Sequence, residues 1–321
     1  MSAIYRETGL SVRATVQLTA HSLAAEIVPS LGGGVARLDF LRGGQRIELF
    51  RPWPEGGTDD PNALGLYVLI PWSNRISGQG FSLGGQFYPL APNFTGEPSP
   101  IHGDGWLSSW RVSAKSDRYV RLEHDAEGPW PYRYEASLEY TLEADGLIIR
   151  LLAINRARIA IPFGLGFHPW LPRTPATLLR APAKSVWLED ARHLPTERIP
   201  ITSRPEWDFS SFRSLPPDWI NNCFIGWNGS ATILWEDREL ALDVEAPPPL
   251  SFYILYSPSA EAQFFCFEPV SHAVDAHNLP SRPEEHGLAK LEPGAKLVVE
   301  CRLRVRKIPG FRPANPPDSA V

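Results

Sequence analysis

Hydrophobic and polar residues alternate with a period of two along most of this chain. TVQLTA, LAAEIVP, YEASLEYTL, GLIIRLLAIN, ATILW, LALDVEA, FYILYS and KLVVECRLRV all follow the rhythm. Successive side chains of a strand point to opposite faces, so each of these segments predicts a strand with one face in a core. Helical spacing is scarce, and only residues 284–289 hold enough of it for a turn or two. The 33 prolines and 25 glycines cluster in DGL, LGG, PPP and similar runs between the alternating segments. Proline is thus about twice as frequent as in an average protein, which punctuates the chain with turns and long loops. The pattern predicts an all-β fold, many antiparallel strands packed as a large β-sandwich, with few short helices.

Length and composition narrow this picture. The 321 residues, 43% hydrophobic and 21% charged, suffice for a large core. No Gly/Ser-rich linker or shift of composition divides them, so a single domain over residues 1–308 is expected. Residues 309–321 lack apolar periodicity and read as a disordered tail. The net charge is −5, with Lys and Arg scattered along the chain. Neither a nucleic acid nor an anionic membrane is an expected partner. The N-terminal MSAIYRETGLSVRATVQL is interrupted by Arg6, Glu7 and Arg13, and nowhere do eighteen apolar residues run together. Cys223, Cys266 and Cys301 lie far apart, are odd in number and form no CxxC pair, which argues against a disulfide framework or a zinc site. A soluble, cytoplasmic protein is the expectation.

Three ionisable residues interrupt strongly apolar segments. His102 lies in IHGDGW, His168 in AIPFGLGFHPW and Glu268 in FFCFEPVSHAVDAHN, each read as the end of a buried strand. Two imidazoles and a carboxylate from distant segments, with no obvious nucleophile or metal, suit proton transfer on a neutral polar substrate. Glycines on either side of Asp104 let the backbone bring His102 close to a ligand. His272 and His277 are read as loop residues without a role.

Taken in order, YVLIPWSNRISGQGFSLGGQFYPL, IHGDGW, IPFGLGFHPWL, CFEPVSHAVDAHN and GLAKLEPG resemble the signature segments of the aldose 1-epimerases, the galactose mutarotase-like proteins. The resemblance runs from about Ala24 to Arg304. It implies the galactose mutarotase-like supersandwich, a cleft on one sheet face, a monosaccharide substrate and no cofactor or metal. Both a monomer and a homodimer are compatible with it.

The resemblance also implies roles. Glu268 is the base that takes the proton of the anomeric hydroxyl, since an apolar wall strengthens a carboxylate as a proton acceptor. His168 is the acid on the ring oxygen, because an imidazole exchanges protons near neutrality. His102 assists by bonding the ring oxygen or a neighbouring hydroxyl. Arg75 and Asn74 hold sugar hydroxyls, and Trp72, Trp106, Trp170 and Phe167 supply apolar faces for the sugar. Where relatives carry an aspartate in a DxCF-like stretch, this chain reads WINNCF. Asn221 therefore replaces an acceptor by a group that both donates and accepts, with Asp218 as an alternative carboxylate.

Three other functions use similar residues. A glycosidase needs a second carboxylate, for which Asp104 and Asp208 are weak candidates beside the imidazoles that accompany Glu268 in the motifs. A metal-dependent isomerase or cupin-like oxygenase needs a close HxH pair, which is absent from the sequence. A non-catalytic carbohydrate-binding or sugar-sensing protein needs the hydroxyl-binding groups and aromatics, but not the proton-transfer set.

Overall fold

The computed structural model describes residues 13–309, so most of the expected tail lies outside the described residues. All eight alternating segments form strands, and two large antiparallel sheets result. The first has eleven strands. Its central path runs from Leu66–Leu69 through Gly166–Pro172, Phe264–Val270 and Phe252–Ser257 to Ile220–Ile225 and Ser185–Glu189. The second has nine strands built around Lys296–Lys307, which pairs with Gly146–Asn155 on one side and Leu240–Glu245 on the other. The only helical elements among the described residues are short 3-10 turns, one of which, Pro283–His286, overlaps the segment with helical spacing.

The sheets meet through their alternating residues. Leu66, Phe167, Leu171 and Phe267 of the first sheet face Leu242, Val244, Cys301 and Leu303 of the second. At the sandwich edge the Trp235 indole donates to the Pro172 carbonyl at 2.8 Å. The opposite face of the first sheet is also covered, by loops that pack Ile101, Trp106, Ala273 and Val274 against Tyr67, Leu69, Ile254 and Val270. Apolar residues are therefore required on both faces of its central strands, which explains why FFCF is a continuous apolar run and why FYILYS, one of the alternating segments, is buried along almost its whole length.

None of the three ionisable residues ends a strand: His168 and Glu268 lie within their strands, and His102 lies in a loop. Pairing resumes beyond Pro169 and Pro269, residues that cannot donate to a ladder and are usually confined to edges. The three cysteines are free and buried. Among the described residues no helix is long and apolar enough to cross a membrane.

Candidate active site

Strand register assembles the centre of the site. Gly166 pairs with Val270 and Trp170 with Cys266, which sets His168 across from Glu268. His168 in turn pairs with Tyr67 on its other side. The period of two sends Tyr67, His168, Trp170, Cys266 and Glu268 to the loop-covered face, while Phe167 and Phe267 enter the core. His168 Nε2 and Glu268 Oε1 are 3.3 Å apart, and both side chains are almost fully buried. The His168 ring is stacked between Tyr67, at 4.4 Å between centroids, and Trp170, at 5.2 Å. Arg51 lies over the outer face of Trp170, 3.8 Å from its centroid.

The loops deliver the other groups. The Asn74 N–H donates to His102 Nδ1 at 3.0 Å, and the His102 N–H donates to the Asn74 carbonyl at 3.1 Å. Since Nδ1 accepts, the ring proton of a neutral His102 resides on Nε2. The two rings, His102 and His168, meet edge to face at 5.4 Å. Gly103 is required beside them, because a Cβ there would lie 1.9 Å from the Ile70 carbonyl oxygen. Behind this loop, His272 accepts from the Ser73 N–H at 2.9 Å and donates to the Ala273 carbonyl at 2.7 Å. His272 and His277 do lie in a loop, but both are buried, and His277 contacts the Tyr132 hydroxyl at 2.9 Å.

Tyr67, Asn74, His102, His168, Trp170 and Glu268 line a cleft of about 350 Å³, together with Asn62, Phe94, Glu97, Trp219, Asn221 and Tyr256. Burial dominates its electrostatics. It raises the Glu268 carboxyl well above its ordinary value, against a smaller opposing effect of Arg75. It pushes His168 down to about 3, and lowers His102 well below the usual imidazole range, helped by His168 and Arg75. The uncharged pair, with Glu268 protonated and His168 neutral, is thereby favoured over the ion pair. One proton moved across the 3.3 Å contact converts one form into the other without changing the proton count.

The sequence profile of the aldose 1-epimerases matches residues 14–304. The chain belongs to the aldose 1-epimerase family. It is 34% identical to the uncharacterised Escherichia coli K12 protein YphB over 86% of this chain and 98% of YphB. A crystal structure from Escherichia coli K12 superposes with a TM-score of 0.83 at 33% identity, over 92% of this chain and 99% of that one. A galactose mutarotase-like protein of Clostridium acetobutylicum has the same fold, with a TM-score of 0.82 at 20% identity over 94% and 97% of the two chains.

All six residues that the family resemblance selected, Asn74, Arg75, His102, His168, Asn221 and Glu268, line this one cleft. Of the four aromatics, Trp106 and Trp170 line it. The other two belong elsewhere. Phe167 points into the core by strand alternation, and Trp72 packs against Tyr132 at 5.5 Å. Asp218 lines a separate surface groove beyond Trp219 and does not replace the family's aspartate. One N–H of the Asn221 amide donates to Glu189 at 3.0 Å, which turns Nδ2 toward that carboxylate. Arg75 is held by a two-pronged ion pair with Glu97 at 2.9 and 2.7 Å.

Sequence reasoning missed Tyr67, Glu97, Glu189, Trp219 and Tyr256. Tyr67 carries a signal in hindsight, a polar-tipped ring directly ahead of VLIP. Glu97 and Glu189 lie in segments without pattern. His168, Glu268 and Cys266 also place three potential metal-ligand atoms within 4.8 Å of one another. Burial raises the Cys266 thiol, like the Glu268 carboxyl, well above its ordinary pKa, which opposes the ionised forms a cation would need.

Proposed function

We propose that this protein is an aldose 1-epimerase, interconverting the α and β anomers of a monosaccharide without metal or cofactor. The observation that carries the reading is the His168–Glu268 pair, 3.3 Å apart and buried on the cleft wall beside a second imidazole. In its ion-pair form Glu268 takes the proton from the anomeric hydroxyl. The C1–O5 bond breaks as the C1–O1 bond becomes a carbonyl, and O5 receives the proton of the His168 imidazolium. This leaves Glu268 protonated and His168 neutral, the form that burial favours. Rotation about C1–C2 presents the other carbonyl face. Reclosure returns both protons by the reverse path.

His102 donates through Nε2 to the ring oxygen or to an adjacent hydroxyl, where negative charge develops during opening. Arg75, Asn74 and Asn221 bind hydroxyls, while Trp219 and the cleft-lining edges of Trp106 and Trp170 provide apolar surface. The glycosidase reading lacks its partner carboxylate. Asp104 accepts from the Tyr134 hydroxyl at 2.7 Å, and neither Asp104 nor Asp208 lines the cleft. Glu97 does line it, but both its oxygens are engaged by Arg75.

The test is anomer exchange measured by NMR over a panel of aldoses. Enzyme-dependent exchange between the α and β resonances of at least one sugar is expected. Binding of a sugar without exchange would replace this reading by that of a sugar-binding protein.

A further inference from the structure

Glu189 stands behind the cleft wall, where its carboxylate gathers three donors. It accepts from Asn221 Nδ2 at 3.0 Å, from Trp219 Nε1 at 2.7 Å and from His193 Nδ1 at 3.1 Å. All three donor residues line the cleft, but Glu189 does not. Trp219 is 45% exposed, an unusual position for a large ring, and stacks on His193 at 5.2 Å. A carboxylate only accepts, so it imposes an orientation on the Asn221 amide. The Nδ2 group turns back toward Glu189, and Oδ1, which has no protein partner among the described residues, is left for a ligand.

We propose that Glu189 is a positioning residue that turns the Asn221 amide so that its Oδ1 acceptor faces a sugar hydroxyl. The inference rests on the mutarotase reading and adds to it a device for hydroxyl selection. With an amide facing the sugar and a carboxylate behind it, the pair keeps an acceptor at the front and puts the negative charge in the second row. Combining Glu189→Gln with Asn221→Asp supplies the same hydrogen bond with donor and acceptor reversed. Each single replacement breaks the match. In Glu189→Gln the new amide competes with the Trp219 and Asn221 donors, and Asn221 turns its NH₂ toward the sugar. In Asn221→Asp two carboxylates face each other across about 3 Å, the separation at which like charges cannot both ionise freely.

The experiment measures affinity for the best-bound aldose of the panel by tryptophan-fluorescence titration, and turnover by NMR exchange, in the full chain. Glu189→Gln and Asn221→Asp are each expected to weaken binding by about tenfold, as expected when a buried polar group loses its match. The loss should fall mainly on KM, with kcat changed less than about threefold. The double variant should recover to within about threefold of the wild-type affinity. Additive losses in the double variant, or single variants that bind as the wild type does, would overturn the assignment of Glu189. A wild-type protein that neither bound nor exchanged any aldose would instead remove the mutarotase reading on which it rests.

Discussion

Asn74 and His102 hold each other through two backbone-anchored hydrogen bonds, and both adopt left-handed backbone conformations, each with φ near 59°. Such conformations cost energy in residues other than glycine and persist where surrounding structure enforces them. Here they fix an imidazole tautomer at the cleft.

The Asn74–His102 arrangement gives His102→Phe two separable effects. The variant keeps the ring but loses both its nitrogens, leaving the Asn74 N–H without its partner. The loss of a positioned donor is expected to cut kcat by about 100-fold, and the orphaned N–H to lower stability by about 1–3 kcal/mol. NMR exchange rates and thermal melts measure the two. Wild-type kcat in a well-folded variant would exclude His102 from the chemistry.

For the His168–Glu268 pair, Glu268→Gln and His168→Asn should each reduce turnover by about 100-fold or more with sugar still bound. Ring opening needs both transfers, so the double variant should be little worse than the worse single one. Full additivity, or near-wild-type exchange in Glu268→Gln, would contradict the shared-proton mechanism.

Stability should depend on pH through the same two residues, in opposite senses. Burial raises Glu268 above its ordinary 4.5, so its stabilising contribution is complete below that value and is lost as pH rises through the folded-state value. His168 is lowered from 6.5 to about 3, so its contribution is complete above 6.5 and is lost as pH falls toward 3. Glu268→Gln abolishes the first dependence. Its melting temperature should therefore gain on that of the wild type, by a few degrees between about pH 5 and about pH 8. A gap that stayed constant or narrowed would mean that the carboxyl is not raised.

Exhaustive chelation is expected to leave anomer exchange unchanged, and Cys266→Ser to keep most of it, because Cys266 has no part in the proton path. Activity lost to a chelator and restored by one divalent ion would show that His168, Cys266 and Glu268 form a metal centre after all.

The chain's alternation was sufficient for the strands and the all-β class, because burying one face of a strand must write a period of two into the sequence. The ordered motifs likewise singled out His102, His168 and Glu268, since an ionisable residue in an apolar run has a high cost unless it is used. Which face each residue occupies was decided only by register and packing. Trp72 and Phe167 sit in motif segments yet serve the core, whereas Tyr67, from the same strand system, clamps His168. The orientation of Asn221 needed Glu189, 32 residues away in a segment without any motif, because an amide's direction is set by the partner across the strand and by nothing in its own neighbourhood. Local pattern records the energetic demand of burial on each segment; the distances that turn two imidazoles and a carboxylate into a proton relay arise only when distant strands pair.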